Sequence, residues 1–260
     1  MAKIFCYFIK NNVADMIGYL STHDSIIAAL VDGYDTEDVA LSCGQMLREC
    51  IKVPTLHEIL LVGKDGAISK PMRDLFEKYV QVPAFEVSVD AFETLTMLLT
   101  SNKALVLSIF NPDIKTNGNF LRYSELFDLY NKKLVLSENY VLKRQSLKLL
   151  SEFLLDRENF RIMMQYISDK SNLKIIMTVL RHKLPNIQYE AFHVFKVFVA
   201  NPEKPDDIAN ILAANKGKLI SFLDSFPHYN DDEQFIEEKQ MLVDTLNRLP
   251  DLTPTPSGGS

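Results

Sequence analysis

The fold is decided by two segments that share one pattern, Ser146-Leu-Lys-Leu-Leu-Ser-Glu-Phe-Leu-Leu-Asp156 and Ala191-Phe-His-Val-Phe-Lys-Val-Phe-Val-Ala-Asn201. In each segment a small residue is followed by apolar residues one, four, seven and eight positions later. This spacing places the apolar side chains on one face of an α-helix. The segments lie 45 residues apart, within the ~40–47 residue period of HEAT and armadillo repeats. The pattern therefore predicts stacked helical units.

Two weaker copies of the pattern occur earlier in the chain. They are Ala91, Phe92, Leu95, Leu98 and Leu99, and Ala40, Leu41, Gly44 and Leu47. Any amphipathic helix that contains alanine produces such matches, so the weaker copies leave repetition and coincidence open. With the stronger pair, they favour an all-α, armadillo/HEAT-like solenoid. Repeats of this kind stack into a right-handed superhelix with a concave binding face.

Capping residues and prolines mark the expected ends of the helices. Ser137 and Ser171 are predicted N-caps, and Pro185 is predicted in a first turn because proline lacks the N–H that a helix interior needs. The predicted loops are Val62–Pro71, Pro83–Val87 and Asn111–Asn119, which are richer in Gly, Pro, Asn and Lys. We expect a single repeat domain over residues 1–250 and a disordered tail over residues 251–260.

Composition argues against several classes of protein. The net charge of −6 and the pI near 5.4 disfavour a nucleic-acid-binding protein, which needs a basic surface. The apolar run Ile4–Ile9 is far shorter than a bilayer span of ~20 residues, so neither a membrane helix nor a signal peptide is expected. Three cysteines form no disulfide framework. We expect a reducing compartment, the cytoplasm.

Motifs that would support catalysis are missing from the sequence. Gly63-Lys64-Asp65-Gly66 lacks the spacing of a phosphate-binding loop and is predicted to be a surface turn. The five histidines are scattered, and neither a Cys-x2-Cys pair nor a Gly-x-Ser-x-Gly elbow occurs. We therefore expect no catalytic residue, no metal, no cofactor and no enzymatic activity.

One group of basic residues, unlike the motifs above, indicates a possible binding surface. Lys143, Arg144 and Lys148 are predicted on one helix, Arg157 follows its end, and Lys174 lies on a later helix. Like charges at i and i+4 repel by a few tenths of a kcal/mol, which a partner's carboxylates would relieve. A solvated face neutralised by Glu152 explains the same residues, and the spacing alone leaves both readings open.

Longer strings give a family resemblance. They are Glu138-Asn-Tyr-Val-Leu-Lys-Arg-Gln-Ser-Leu-Lys-Leu-Leu150, Leu154-Leu-Asp-Arg-Glu-Asn-Phe160 and Asn186-Ile-Gln-Tyr-Glu-Ala-Phe-His-Val-Phe-Lys-Val-Phe-Val-Ala-Asn-Pro202. Over roughly residues 20 to 250, the chain resembles the calcium-binding protein 39 family, also called mouse protein 25. The resemblance implies a curved helical scaffold that binds STRAD-type pseudokinases and germinal-centre protein kinases and activates the kinase without catalysis.

The resemblance also implies a pocket for a carboxyl-terminal Trp-Glu-Phe tail of the pseudokinase. The family's binding residues correspond to Tyr140, Arg144, Lys148, Arg157, Phe160 and Met177. We add Lys174 from the basic group to this predicted binding set. The basic side chains would meet the acidic groups of the tail, and Phe160 and Met177 would contact its aromatic rings. A structural adaptor for non-kinase partners in polarity or cytoskeletal assembly is the alternative function.

Two departures from the family pattern affect these expectations. A family lysine that helps to hold the tail is replaced by Ala214, with Lys216 nearby as a substitute. Before about Asp15 the family's first helices are expected to be missing or replaced. Tail affinity and contacts of the amino-terminal repeat are therefore expected to differ.

Overall fold

The structure is a computed structural model that describes residues 1–113, 118–226 and 233–250. The described helices are α1 Ala2–Lys10, α2 Met16–Thr22, α3 Asp24–Asp32, α4 Glu37–Ile51, α5 Pro54–Leu61, α6 Lys70–Glu77, α7 Phe85–Thr100, α8 Lys103–Phe110, α9 Asn119–Leu129, α10 Tyr140–Leu155, α11 Phe160–Ser168, α12 Lys170–Leu180, α13 Pro185–Ala200, α14 Asp206–Asp224 and α15 Glu233–Asn247. Within this part of the chain, strand-like pairing is limited to one bridge between Val62 and Ile68. The all-α helical-repeat prediction is confirmed.

The predicted repetition reappears in the helix bounds. Helices α7, α10 and α13 each have 16 residues. The small residue of the pattern, Ala91, Ser146 or Ala191, is the seventh of each helix and is fully buried. The apolar positions that follow it are buried in all three helices. The weaker copy at Ala40 on α4 departs from the pattern, because its next residue, Leu41, is 45% exposed.

The chain divides into two compact units, residues 1–163 and 164–260. In the first, α1 packs on α4, α4 on α7 and α7 on α10. In the second, α13 packs against α12 and α15, and α14 packs against α12 and α15. The prediction of a single domain over residues 1–250 stays a prediction, and the tail predicted at 251–260 lies outside the described residues.

A buried polar network joins α4 to α7. The Tyr34 hydroxyl donates to Asp90 Oδ1 at 2.7 Å, and Arg48 Nη2 donates to Asp90 Oδ2 at 2.7 Å. Burial raises the pKa of Tyr34, which keeps its hydroxyl protonated as a donor. A Cβ at Gly44 would lie 1.8 Å from Asp90 Oδ1, so glycine is needed where α4 approaches this carboxylate.

The turns before α11 and α12 have the same arrangement of hydrogen bonds. Asp156 and Asp169 each accept the backbone N–H of the residue two positions on, at 3.0 and 2.7 Å. The residue after that, Asn159 or Asn172, is buried and donates to the carbonyl six positions earlier at 3.0 Å. These bonds satisfy polar groups that the helix ends leave exposed.

Two predicted N-caps are wrong, and one predicted boundary agrees. Asn139, not Ser137, caps α10 by accepting from the Leu142 amide at 3.1 Å. Asp169 caps α12, where its charged carboxylate is a stronger acceptor than the predicted Ser171 hydroxyl. Pro185 is the first residue of α13, as its missing N–H predicts.

The predicted loops are confirmed in part. Residues 62–69 form the turn between α5 and α6, but α7 already begins at Phe85, inside the predicted loop Pro83–Val87. The third predicted loop contains residues 114–117, which lie outside the described residues.

Candidate protein-binding surfaces

The exposed face of α10 carries three of the predicted binding residues. Tyr140, Arg144 and Lys148 are spaced by four, so they follow one another along one side of the helix. Tyr140 is 37% exposed, and both basic side chains are exposed. Lys148 Nζ lies 3.9 Å from Glu152 Oε1 with both side chains more than 60% exposed. Such a surface pair contributes little, so Lys148 can exchange it for a partner's carboxylate.

Lys143 does not belong to this face. Its side chain is 9% exposed, in contrast to Arg144 beside it. The buried stripe of α10 is wider than the apolar pattern suggests, because Lys143, Ser146 and Ser151 are buried along with the leucines. The prediction that Lys143 adds to the basic surface is therefore wrong.

Arg157 and Phe160 lie at the turn that follows α10. Arg157 is exposed, and the ring of Phe160, the first residue of α11, is 51% exposed. The backbone here is fixed by Asp156, which accepts from the Glu158 amide and also forms an ion pair with Lys103 at 2.5 Å. The turn therefore holds an aromatic and a cation at the surface of the first unit.

The second unit contains an open groove between α12 and α14. It encloses about 610 Å³, within the size of ordinary ligand sites. The α12 wall is formed by Lys170, Lys174 and Met177 together with Arg181, which directly follows the helix. The α14 wall is formed by Asp207, Ile211 and Ala214. The groove thus combines cations along one wall with apolar surface from Met177 and Ile211.

Sequence reasoning missed Lys170 and Arg181. Lys170 is four residues before Lys174 on the same face of α12, and Arg181, seven residues after Lys174, directly follows the last residue of the helix. Lys170 Nζ forms a hydrogen bond with Asp207 at 2.7 Å, which raises the pKa of Lys170 and lowers that of Asp207. Both groups therefore stay charged near neutral pH, and the ion pair links α12 to α14 across the groove. The helical spacing from Lys174 was the signal that could have found both residues.

Ala214 and Lys216 take different positions on α14. Ala214 lines the groove, whereas Lys216 does not, and its Nζ donates to the Leu249 carbonyl at 3.1 Å. Residues two apart on a helix point to different sides. The expectation that Lys216 substitutes for a lysine at position 214 is not supported by this geometry.

The predicted binding residues are divided between the two units. Tyr140, Arg144, Lys148, Arg157 and Phe160 belong to residues 1–163, and Lys174 and Met177 belong to residues 164–260. The structure brings Lys174 and Met177 together in one groove and places Tyr140, Arg144 and Lys148 on one helix face. That all seven residues form a single pocket stays a prediction.

Comparison with known proteins gives the family. A sequence model described as Mo25-like matches residues 1–250. The chain belongs to the Mo25-like family. The match begins at residue 1, so it includes the segment before Asp15 that the family resemblance had left out. In that segment α1 packs on α4 with Cys6 and Ile9 buried.

Several curated relatives support this membership. Proteins named calcium-binding protein 39-like from Mus musculus and Homo sapiens are each 47% identical over 239 residues, which is 92% of this chain and 66% of theirs. A Mo25-like protein from Schizosaccharomyces pombe is 40% identical over 250 residues, 95% of this chain and 71% of the relative. The chain thus spans about two thirds of the length of these members of the Mo25-like family.

The Mo25-like match indicates no enzyme family. Although two relatives are named calcium-binding, the described residues contain no group of three or more His, Cys, Asp or Glu that could hold a metal ion. The three cysteines are buried, and burial raises the pKa of each thiol, that of Cys50 to about 12. They therefore stay protonated near neutral pH and are poor nucleophiles.

His57 has a structural role in this Mo25-like chain. Its ring is fully buried, and its Nε2 lies 2.8 Å from the Leu98 carbonyl, so the nitrogen donates as N–H. Burial lowers the pKa of His57, which keeps the ring neutral. The contact ties α5 to the end of α7.

None of the described helices combines the length and the apolar character that crossing a bilayer requires.

Proposed function

We propose that this chain is a non-catalytic scaffold that binds a protein kinase or pseudokinase and captures an acidic, aromatic carboxyl-terminal tail of the Trp-Glu-Phe type. The observation that carries the proposal is the groove between α12 and α14. There Lys174 and Met177, which the sequence predicts as binding residues, lie one helical turn apart on one wall. Membership of the Mo25-like family and the basic face of α10 support the same function.

The groove suits such a tail chemically. A glutamate side chain and a terminal carboxylate would pair with ammonium and guanidinium groups of Lys174 and Arg181. The Met177 thioether is polarisable and packs favourably against aromatic rings. Ala214 adds no charge on the opposite wall, so the acidic groups of the tail would lie along α12.

Activation would follow from differential affinity. A scaffold that binds the active arrangement of a kinase more tightly than the inactive one shifts the population toward the active state. In this proposal the chain supplies binding free energy, and the partner kinase supplies the chemistry.

The groove is tested by fluorescence anisotropy with a labelled peptide that ends in Trp-Glu-Phe. Met177→Ala and Lys174→Ala should each weaken binding about tenfold, since a hydrogen bond to a charged group contributes about 1.5–3 kcal/mol and a buried apolar side chain a similar amount. Met241→Ala and Lys218→Ala are the matched controls, because both residues are exposed in the second unit and neither lines the groove. Unchanged affinity in both groove variants would contradict the proposed tail site.

The basic face of α10 is tested separately. Arg144→Ala and Lys148→Ala are measured with the same peptide and with a purified pseudokinase that carries this tail. If the first unit contributes, one or both variants should lose several-fold affinity, while Lys132→Ala, a 67% exposed lysine of the same unit, should bind normally. Loss only with the pseudokinase would assign α10 to the kinase fold rather than to the tail. Normal binding of both partners would exclude α10 from the interface.

A structural adaptor for non-kinase partners is the second candidate. A relative from Emericella nidulans, 39% identical over 245 residues and covering 86% of this chain and 61% of the relative, is named a conidiophore development protein, and that name refers to no kinase. Affinity purification of the full chain from native cells, with identification of the bound chains, separates the two. Specific partners without any kinase or pseudokinase would favour the adaptor.

A further inference from the structure

The groove between α12 and α14 contains a carboxylate of the chain itself. Among the described residues, the charged side chains that line it are the cations Lys170, Lys174 and Arg181 and the carboxylate Asp207. Lys170 Nζ donates to Asp207 Oδ2 at 2.7 Å, whereas Lys174 and Arg181 form no salt bridge within the described part of the chain. Lys170 and, to a smaller extent, Lys174 lower the pKa of Asp207. One of the three cations that an acidic tail could use is therefore already occupied.

The backbone holds both partners of this ion pair in place. Lys170 is the first residue of α12, and Asp207 is the second residue of α14. The first turn of α14 is closed by the Ala209 amide, which donates to the Pro205 carbonyl at 2.9 Å. A carboxylate in the first turn of a helix is also favoured by the helix dipole. Asp207 thus reaches Lys170 across the groove from a fixed position.

The ion pair itself is easily exchanged. The side chains of Lys170 and Asp207 are 54% and 63% exposed. An exposed ion pair contributes little to stability, because water solvates both charges when they separate. Lys170 can therefore leave Asp207 for a carboxylate of a ligand at a small cost in free energy.

Asp169, the other carboxylate near Lys170, is engaged elsewhere. It contributes less than Asp207 to the raised pKa of Lys170. Its Oδ1 accepts both the amide and the hydroxyl of Ser171, at 2.7 and 2.6 Å, as the cap of α12. Asp169 also does not line the groove. Asp207 is therefore the carboxylate that takes the place of a ligand carboxylate on the cationic wall.

We propose that Asp207 is an internal competitor of the acidic tail, a contact within the chain that lowers the affinity of the groove until a ligand carboxylate displaces Asp207 from Lys170. This inference rests on the proposed function of the groove as a tail site. Asp207 then sets specificity as well as affinity. A tail with a carboxylate placed to take over Lys170 contacts a third cation, and a neutral peptide gains nothing from the exchange.

Fluorescence anisotropy with the full chain and a Trp-Glu-Phe peptide labelled at its amino end tests this competition. Asp207→Asn keeps the size of the side chain and removes its charge, so binding should become about threefold tighter, in the range that an exposed ion pair supplies. Asp206→Asn is the matched control, because Asp206 is the preceding residue of α14, is exposed and does not line the groove. Its affinity should equal that of the wild type. An equal gain in both variants would overturn the proposal, because net charge alone would then explain it.

A second pair of variants shows whether the effect depends on Lys170. In the Lys170→Gln background no cation is released, and only the screened repulsion between Asp207 and the tail remains. Adding Asp207→Asn to Lys170→Gln should therefore tighten binding by less than about 1.5-fold. A gain as large as that in the wild-type background would contradict competition for Lys170.

The outcomes separate this inference from the proposed function. If the wild type binds the peptide and Asp207→Asn leaves the affinity unchanged or weakens it, the competition is wrong and the tail site stands. If the peptide binds neither the wild type nor Asp207→Asn, both the tail site and the competition are wrong. Lys170, Asp206 and Asp207 are all exposed, so each variant should keep the circular dichroism spectrum of the wild type.

Discussion

Helices α10 and α13 have the same length and share seven buried positions, and they differ on the faces that turn away from that core. The face of α10 carries Arg144, Lys148 and Glu152, all exposed. Forty-five residues later α13 has Tyr189, His193 and Val197 at these positions, and none of the three is exposed.

The difference has a visible cause in the second unit. Helix α15 packs against α13, with the rings of Phe235 and Tyr189 at 5.4 Å and those of Phe235 and Phe192 at 4.8 Å. Lys196 Nζ on α13 and Glu238 Oε1 on α15 form an ion pair at 2.7 Å. The repeat pattern thus specifies which residues of each helix are buried. The residues on the opposite face determine whether another helix of the same chain packs against it. The charged, uncovered face of α10 is the part of this helix that the proposed scaffold function would use.

The largest effect is expected where the two helices are equivalent. Phe153 on α10 and Phe198 on α13 occupy matching positions and are 5% and 0% exposed. Phe153→Ala and Phe198→Ala should each lower the free energy of unfolding by about 3–5 kcal/mol, because each leaves a cavity in a packed core. Urea denaturation followed by far-ultraviolet circular dichroism measures the loss.

The control for this pair is Leu155→Ala. Leu155 is 51% exposed on α10, so the change should cost less than about 0.5 kcal/mol. A cost below about 1 kcal/mol for only one of the two phenylalanine variants would show that the matching positions do not play matching roles.

An intermediate effect is expected where the helices differ. The ion pair of Lys196 and Glu238 is largely covered, with side chains 17% and 20% exposed. Glu238→Gln should therefore cost about 1–2 kcal/mol, because it weakens a charge-assisted hydrogen bond in a poorly hydrated site. Its counterpart on the uncovered helix is Glu152→Gln, which removes the exposed pair with Lys148 and should cost less than about 0.5 kcal/mol. Thermal and urea denaturation measure the loss in each variant. Equal losses for Glu238→Gln and Glu152→Gln would contradict the distinction between a covered and an uncovered face.

Local signals explain what the sequence could predict. The stripe from Ser146 to Leu154 and its copy from Ala191 to Val199 follow from helical periodicity alone, and both are buried. Pro185 marks a first turn because of its own covalent chemistry. The predicted caps Ser137 and Ser171 were wrong because several good acceptors lie next to one another, and the apolar spacing does not show which of them begins the helix.

Tertiary proximity explains what the sequence could not predict. The groove needs α12 and α14 to pack together, a pairing of segments about 35 residues apart that no periodicity encodes. The sequence predicts Lys143 on the basic surface of α10, yet the residue is buried in the structure.

The smallest effect concerns the residues that follow the two helices, Asp156 after α10 and Asn201 after α13. Each accepts the backbone N–H of the residue two positions on at 3.0 Å, so the turn geometry is alike. Only Asp156 carries a charge, and the hydrogen bond from Lys103 lowers its pKa below the ordinary value of 3.8. Its stabilising contribution is therefore complete above that ordinary value and is lost as the pH falls through the lower pKa of the folded state.

Asp156→Asn isolates this charge, because the amide oxygen still accepts from the Glu158 backbone. The variant should lose about 0.5 kcal/mol near neutral pH, a small amount since solvent screens the 44% exposed Lys103. The difference from the wild type should shrink toward zero in urea denaturation at about pH 3 and below. Lys103→Gln should lose a similar amount at neutral pH, and adding it to Asp156→Asn should cost little more. A loss that stays constant with pH would mean that the turn itself, rather than the ion pair, distinguishes the end of α10 from the end of α13.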